Sequence, residues 1–191
     1  MSPAGIVLAA GAGRRFGMPK ALVEHQGSLL VDRAARVLAE GGCDPVVVVL
    51  GAAADEVRER AELAGVTTAY NPEWSTGMGS SLRTGLEALR DSDAPAALIL
   101  PVDMPGIGPE AVRRVAALTA PDVLAAASHD GRRSHPVLLG REHWTGAAAS
   151  ATGDAGARDY LRKRTVTMVS CDDISEGFDV DRPEDLGRPA T

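Results

Sequence analysis

Short hydrophobic runs alternate along the chain with segments in which apolar residues recur every three or four positions. The first pattern predicts strands at 6–9, 45–51, 65–70, 96–103, 121–128, 134–140 and 166–171. The second predicts helices at 30–40, 53–64, 80–89 and 109–118, and a further helix within 151–164. Strands that alternate with helices predict a single α/β domain over residues 1–191, with three α/β/α layers and a mostly parallel sheet.

Two segments depart from this alternation. The turn "HDGRR" at 129–133 joins two predicted strands, which indicates a hairpin and therefore one antiparallel strand in the sheet. Residues 145–153 consist largely of Ala, Gly, Ser and Thr, and we predict a loop there.

The stretch "IVLAAGAGRRFGMPKAL" at 6–22 follows the first predicted strand and is rich in glycine and cations. Gly11 and Gly13 allow backbone N–H groups to approach phosphate oxygens closely. Arg14, Arg15 and Lys20 place three positive charges within seven residues. Because ligands of parallel sheets bind at the carboxyl ends of the strands, this loop predicts a site for a triphosphate.

Two common phosphate motifs do not fit this loop. A dinucleotide fingerprint needs a third glycine at the position of Phe16, and the nearest acid after the second long strand, Asp55, comes well past its end. A P-loop needs Ser or Thr after its lysine, whereas Lys20 is followed by Ala21. A redox dinucleotide and a P-loop nucleotide are therefore both disfavoured.

Three carboxylates are candidate Mg²⁺ ligands. Asp103 ends the strand 96–103, and Asp179 and Asp181 alternate with apolar residues in "FDVDRPEDL". Residues two apart in an extended segment point the same way, and Mg²⁺ takes one or two carboxylates together with substrate phosphates. The alternative for Asp103 is a turn or helix cap, and one of the later pair could cap the helix that begins at Pro183.

Composition and charge exclude several classes of partner. The net charge is −6 and aromatic residues make up 3% of the chain, which disfavours nucleic acid held by electrostatics or by base stacking. The two cysteines form no metal or redox motif, and the N-terminal apolar run is too short for a signal peptide or a membrane span. We therefore expect a cytoplasmic protein without a membrane partner.

Several segments together resemble the MobA/MocA-like nucleotidyltransferases, which have a GT-A-type fold of the nucleotide-diphospho-sugar transferase kind. The resemblance extends in order over nearly the whole chain, through the segments "LAAGAGRRFGMPKAL", "NPEWSTGMGSSLRTGL", "PVDMP", "GRRSHPVLLG", "GDAGAR" and "DVDRPEDL". It implies transfer of a nucleotide from a nucleoside triphosphate to a phosphorylated acceptor, with release of pyrophosphate.

The resemblance also implies a role for individual residues. Arg15, Lys20 and Asp103 would be catalytic, and Mg²⁺ would be held by Asp103 with Asp179 or Asp181. The nucleotide would be bound by Leu8, Ala9, Ala10, Gly11, Gly13, Arg14, Asn71, Gly77, Ser80 and Ser81. The acceptor would be bound by His135, Asp154 and Arg158. Separately from the resemblance, the Ala, Gly, Ser and Thr content of 145–158 predicts a mobile lid that becomes ordered when substrate binds.

Some of these residues could instead have a purely structural role. Asn71 could simply form a turn before Pro72, and one of Ser80 and Ser81 could cap a helix. His135 could be a hydrogen-bonded strand residue.

The versions "LAAG" and "VDMP" are more similar to the branch that uses CTP to cytidylylate molybdopterin than to the guanylyl branch. Molybdopterin would then be the acceptor, and a molybdoenzyme or its delivery chaperone a protein partner. The alternatives are GTP or another acceptor, an oxidoreductase of purine or nicotine catabolism, and a non-catalytic chaperone that carries the cofactor.

Overall fold

The computed structural model describes residues 1–187. Its strands are β1 Ala4–Ala9, β2 Glu24–His25, β3 Ser28–Leu29, β4 Val46–Leu50, β5 Thr67–Tyr70, β6 Ala96–Pro101, β7 Leu124–His129, β8 Arg132–Gly140 and β9 Thr167–Ser170. Its helices are α1 Leu30–Glu40, α2 Ala54–Arg60, α3 Met78–Ala88, α4 Pro109–Ala116, α5 Trp144–Ser150 and α6 Arg158–Arg162.

Seven strands form one sheet in the order β5-β4-β1-β6-β8-β7-β9. The four strands β5, β4, β1 and β6 are parallel, and β8 runs antiparallel to both β6 and β7. The expected α/β architecture with one antiparallel strand is thus confirmed.

The central strands are buried on both faces, as their unbroken apolar runs predict. Along β1, Val7 and Ala9 pack into one core with α1 and α4, whereas Ile6 and Leu8 pack into a second core with α3 and α5. This period of two gives each face of the sheet its own helical layer. The expected three layers are therefore present.

The arrangement brings the polar loops together at one edge of the sheet. The glycine-rich loop follows β1, and Asp103 lies two residues beyond the end of β6, the strand next to β1. The late segment reaches the same edge, because the Val180 N–H donates to the Asp103 carbonyl at 2.8 Å. Three distant parts of the sequence therefore meet at the carboxyl ends of β1 and β6.

The structure corrects three local expectations. Residues 144–150 form helix α5 rather than a loop. Trp144 and Ala147 are buried in the second core, and the Trp144 indole Nε1–H donates to the Leu139 carbonyl at 3.0 Å. Burial of these residues stabilises a helix whose composition alone does not predict one. The expected lid over 145–158 is therefore helical in its first half.

The remaining two corrections concern a boundary and a hairpin. Helix α2 ends at Arg60, four residues before the predicted end. The two-residue strands β2 and β3 form a hairpin that the hydrophobic pattern does not predict. Among residues 1–187, every helix is too short or too polar to cross a lipid bilayer.

Candidate active site

The glycine-rich loop turns sharply after β1. Gly13 has φ +62, and a Cβ there would clash with the Met18 carbonyl oxygen, so only glycine fits. The loop closes through a hydrogen bond from the Gly17 N–H to the Gly13 carbonyl at 2.8 Å. This compact turn brings Arg15 and Lys20 back towards the end of β6.

The three candidate metal ligands converge. One oxygen from each of Asp103, Asp179 and Asp181 lies within 4.8 Å of the others. Asp103 is placed by β6, and the other two project to the same side on either side of buried Val180. The predicted alternation of acidic and apolar residues at 178–181 therefore places both Asp179 and Asp181 beside Asp103.

Two cations of the glycine-rich loop contact these acids. The Lys20 ammonium lies 2.7 Å from Asp103 Oδ2 and 3.1 Å from Asp181 Oδ1. The Arg15 guanidinium lies 3.1 Å from the other oxygen of Asp181. Burial by itself would lower the pKa of Lys20, but the two carboxylates outweigh burial and raise this pKa above its usual value. Lys20 is therefore firmly protonated.

The alternative capping roles for the acids do not match their contacts. Helix α4 begins at Pro109, with Gly108 as its N-cap, so Asp103 caps no helix there. Asp103 does lie in a turn, as its alternative role predicts, but its side chain contacts Lys20. At the turn before Pro183, the backbone N–H groups of Asp181 and Arg182 both donate to Asp185 Oδ2. Asp185 supplies the turn contact, which leaves the Asp179 and Asp181 side chains to the cluster.

A cavity of about 510 Å³ lies over the loop and the acids. This volume is in the usual range for a small-molecule site. Thirteen of the predicted residues line it: Leu8, Ala10, Gly11, Gly13, Arg14, Arg15, Lys20, Gly77, Ser81, Asp103, Asp154, Asp179 and Asp181. Six other lining residues had no predicted role in ligand binding: Ala12, Trp74, Ser75, Met78, Pro101 and Val102.

Trp74 illustrates why a lining residue can be missed. From sequence, an isolated tryptophan in a loop favours a packing role over a role in ligand binding. Trp74 does pack against the second core, but it also lines the cavity. A tryptophan within a loop rich in small residues is the signal that could have marked this position.

Three residues predicted to contact the nucleotide do not line the cavity but lie behind its wall: Ala9, Asn71 and Ser80. Ala9 is part of the first core. Asn71 is 1% exposed, and its Nδ2 donates to the hydroxyl oxygens of Ser80 at 2.8 Å and Ser81 at 3.0 Å. Its Oδ1 accepts the Glu73 N–H at 2.9 Å, which is the turn that the sequence left open. Asn71 therefore supports the cavity wall through these hydrogen bonds and does not contact the cavity directly.

Neither serine caps a helix. Helix α3 begins at Met78 and has Gly77 as its N-cap, without a side-chain capping bond. The single proton of the Ser80 hydroxyl is within hydrogen-bond reach of two carbonyl oxygens, those of Glu73 at 3.0 Å and Gly77 at 2.9 Å. It therefore ties the preceding loop to the first turn of α3.

Only one of the three residues predicted to bind the acceptor lines the cavity. Asp154 lines the cavity, and its Oδ1 would lie 2.7 Å from a Cβ built at Gly77. Arg158 is exposed at the start of α6, and neither it nor His135 lines the cavity. A role for these two in acceptor binding stays a prediction.

His135 is half-buried on β8. Burial lowers the pKa of its imidazole to about 4, with the Arg133 guanidinium adding to the shift and the Asp179 carboxylate opposing it. His135 is therefore neutral at pH 7, close enough to the acid cluster to sense Asp179.

Comparison with known proteins decides the family. A model of the MobA-like NTP transferase domain matches residues 5–168. The chain belongs to the MobA-like NTP transferase family. It is accordingly a nucleotidyltransferase, as its resemblance implied. Asp179 and Asp181 lie beyond the matched residues, so their position beside Asp103 is information that the structure adds.

Two relatives of this MobA-like protein have different names. Nicotine blue oxidoreductase of Paenarthrobacter nicotinovorans is 38% identical over 96% of this chain and 94% of its own length. Molybdenum cofactor guanylyltransferase of Shewanella halifaxensis is 28% identical over 94% of this chain and 89% of its own length. Neither name specifies CTP.

Solved structures share the fold. A homologue of Mycobacterium tuberculosis Rv0371c, from Mycobacterium sp. strain JC1, is 29% identical with a TM-score of 0.84 over 95% of this chain and 91% of that one. The manganese complex of Rv0371c from Mycobacterium tuberculosis is 22% identical with a TM-score of 0.79, over 94% of each chain. The second likeness shows the fold alone.

The three side-chain hydrogen bonds of Asn71 should contribute to the stability of the folded protein. Asn71→Ala removes three hydrogen bonds and leaves buried hydroxyl and amide groups with fewer partners, so we expect a loss of about 1–3 kcal/mol in the free energy of unfolding. Urea denaturation measures this loss, with Ser75→Ala, an exposed change in the same loop, as the control. An unchanged midpoint for Asn71→Ala would contradict a supporting role.

The lowered pKa of His135 should make the stability of the folded protein depend on pH. The folded-state pKa lies below the unfolded value of about 6.5, so the unfolded chain binds the extra proton as the pH falls from 6.5 towards 4. The stability that neutral His135 contributes is present above pH 6.5 and is lost through this window, by about 3 kcal/mol at most.

The comparison of wild type with His135→Gln isolates this contribution, because all other titrating groups are shared. We expect the wild type to lose more stability than His135→Gln between pH 6.5 and 4, as measured by urea denaturation at each pH. Parallel curves for the two proteins would show that His135 does not titrate in this way.

Proposed function

We propose that this protein transfers a nucleoside monophosphate from a nucleoside triphosphate to a phosphorylated acceptor with the aid of a divalent cation, Mg²⁺ in the cell. CTP is the preferred donor and molybdopterin the acceptor. The observation that carries the proposal is the meeting, in one cavity, of a glycine loop with three cations and a cluster of three carboxylates.

The cation-bearing loop suits a triphosphate. Gly11 and Gly13 present backbone close to the cavity, and Arg14, Arg15 and Lys20 line the same wall. A guanidinium binds phosphate oxygens through two N–H groups, and an ammonium acts as a compact charge. These side chains would neutralise the α-phosphate and the departing pyrophosphate.

The reaction needs no protein base. The attacking atom is an oxygen of the acceptor phosphate, which is already ionised at pH 7. It bonds to the α-phosphorus as the bond from that phosphorus to the bridging oxygen breaks, and pyrophosphate leaves with the electron pair. Placement and charge neutralisation are therefore the main tasks of the protein.

The acid cluster fits a divalent cation. Its three donors are hard carboxylate oxygens that lie close together at the edge of the cavity, the ligand type that Mg²⁺ and Mn²⁺ prefer. When bound, such an ion supplies positive charge against the phosphates and a template for their orientation. Asp103, with Asp179 or Asp181, would hold it.

Support for CTP is confined to the segments "LAAG" and "VDMP". Ala10, the residue that distinguishes "LAAG" from "LAGG", is buried and lines the cavity. Ala10 is therefore placed where it could influence which base the cavity accepts. A few such contacts provide a preference of about 10–200-fold.

A second candidate is reduction of a small dye-like substrate by a nicotinamide dinucleotide. It is favoured by the 38% identity to nicotine blue oxidoreductase over nearly the full length of both proteins. The loop sequence opposes it, because Phe16 stands where the dinucleotide fingerprint needs its third glycine.

Ligand binding separates the two candidates. We expect CTP with Mg²⁺ to raise the melting temperature, since a ligand at 100 times its dissociation constant stabilises by about 2.7 kcal/mol. GTP and ATP should bind about tenfold or more weakly by calorimetry. Equal affinity for the three nucleotides would overturn the CTP preference, and tight NADPH binding without any NTP binding would favour the oxidoreductase.

Asp103→Asn tests the metal site. The amide keeps the size of the side chain but is a poorer ligand for a hard cation, so turnover with CTP and molybdopterin should fall about 10²-fold or more. The fold should persist, with a melting temperature near that of the wild type. Asp55→Asn, an exposed carboxylate on α2 with 97% of its side chain accessible, is the matched control. A folded Asp103→Asn protein with wild-type turnover would remove the metal role.

A further inference from the structure

The acid cluster is partly neutralised by the protein's own cations. Lys20 contacts Asp103 and Asp181 at the same time, and Arg15 contacts the second oxygen of Asp181. Two of the three predicted metal ligands therefore direct their oxygen lone pairs at cationic groups of the glycine-rich loop.

A divalent cation and the Lys20 ammonium compete for the same place. The ammonium lies within hydrogen-bond distance of one oxygen on each of two carboxylates. A cation bound to those oxygens at its usual distance of about 2 Å would stand beside the ammonium, and like charges repel. The ion can enter only when Lys20 moves away.

Lys20 has another anion available once a nucleotide arrives. Its side chain has four rotatable bonds and lines the cavity together with Gly11 and Gly13, where the triphosphate is proposed to bind. Arg15 is less confined still, because 74% of its side chain is accessible. Both cations can thus exchange carboxylate partners for phosphate partners without a change in the backbone.

We propose that Lys20, assisted by Arg15, is a placeholder for the metal. It holds Asp103 and Asp181 together in the nucleotide-free protein, and it releases them to the cation when the triphosphate binds. This inference rests on the proposed function. Metal and nucleotide then bind cooperatively, and by linkage each raises the affinity for the other by the same factor.

Metal binding without nucleotide tests the placeholder. Mn²⁺ is added to the full-length protein, and free Mn²⁺ is measured by electron paramagnetic resonance. Lys20→Met keeps most of the aliphatic stem but removes the competing charge, so we expect it to bind Mn²⁺ at least about tenfold more tightly than the wild type does.

Arg14→Met is the matched control. It removes the same charge from the same loop, and Arg14 is exposed and has no ion pair among residues 1–187. General electrostatics would strengthen Mn²⁺ binding similarly in both variants, whereas the placeholder predicts a clearly larger gain for Lys20→Met. Equal gains, or wild-type Mn²⁺ affinity as high as that of Lys20→Met, would overturn the proposal.

Two further measurements keep the proposal testable if Lys20→Met is unstable and examine its nucleotide step. If Lys20→Met does not fold, Arg15→Met, at an accessible position, should still strengthen Mn²⁺ binding more than Arg14→Met does, and the absence of that difference would overturn the proposal. In EDTA, Lys20→Met should bind CTP more weakly than the wild type, because the contact from Lys20 to phosphate is then lost. Unchanged CTP binding would overturn the exchange of partners.

Failure of the proposed function gives a different result. If the tightened Mn²⁺ binding of Lys20→Met survives a second change, Asp103→Asn, the ion is not held by the acid cluster, and both proposals fall. If Mn²⁺ binding behaves as expected but no nucleoside triphosphate binds, the competition stands and the transferase assignment of the cavity falls.

Discussion

The site depends on charge balance at one edge of the sheet. Three carboxylates within 4.8 Å of one another repel, and this cluster is kept together by cations that the glycine-rich loop brings to it. Lys20 is the central contact, since it joins the acid after β6 to the acid in the late segment. The same positive charges suit phosphate, so one arrangement serves both the free protein and the proposed nucleotide complex.

The sheet supplies the geometry that this balance needs. Because β1 and β6 are parallel neighbours, the loop after one strand and the acid after the other leave the sheet at the same edge. The late segment is then held there by the hydrogen bond from Val180 to Asp103. Buried apolar residues on both faces fix the positions of these strands, so the core brings the charged groups to one edge, and the ion pairs of Lys20 and Arg15 then hold the acids together there.

Family membership and local geometry contribute different information. The matched domain of residues 5–168 carries the glycine-rich loop and Asp103, and with them the assignment as a nucleotidyltransferase. The second and third acids lie outside that domain, and the structure brings them to the first, as the sequence patterns predict. Relatives with names as different as an oxidoreductase and a guanylyltransferase share this scaffold, because substrate choice depends on the residues that line the cavity rather than on the sheet.

The sequence by itself determined the α/β layers, the parallel sheet and most of the cavity wall, because hydrophobic periodicity and glycine spacing are local signals that the fold obeys. The sequence does not predict helix α5, because this helix is stabilised by burial of Trp144 in the second core, which local composition does not encode. A contact between Asn71 and the nucleotide is predicted from sequence, and only tertiary packing shows that Asn71 lies behind the wall. The pairing of Lys20 with Asp103 and Asp181 was likewise decided by the tertiary structure, because opposite charges that are 83 and 161 residues apart meet only when the sheet has formed.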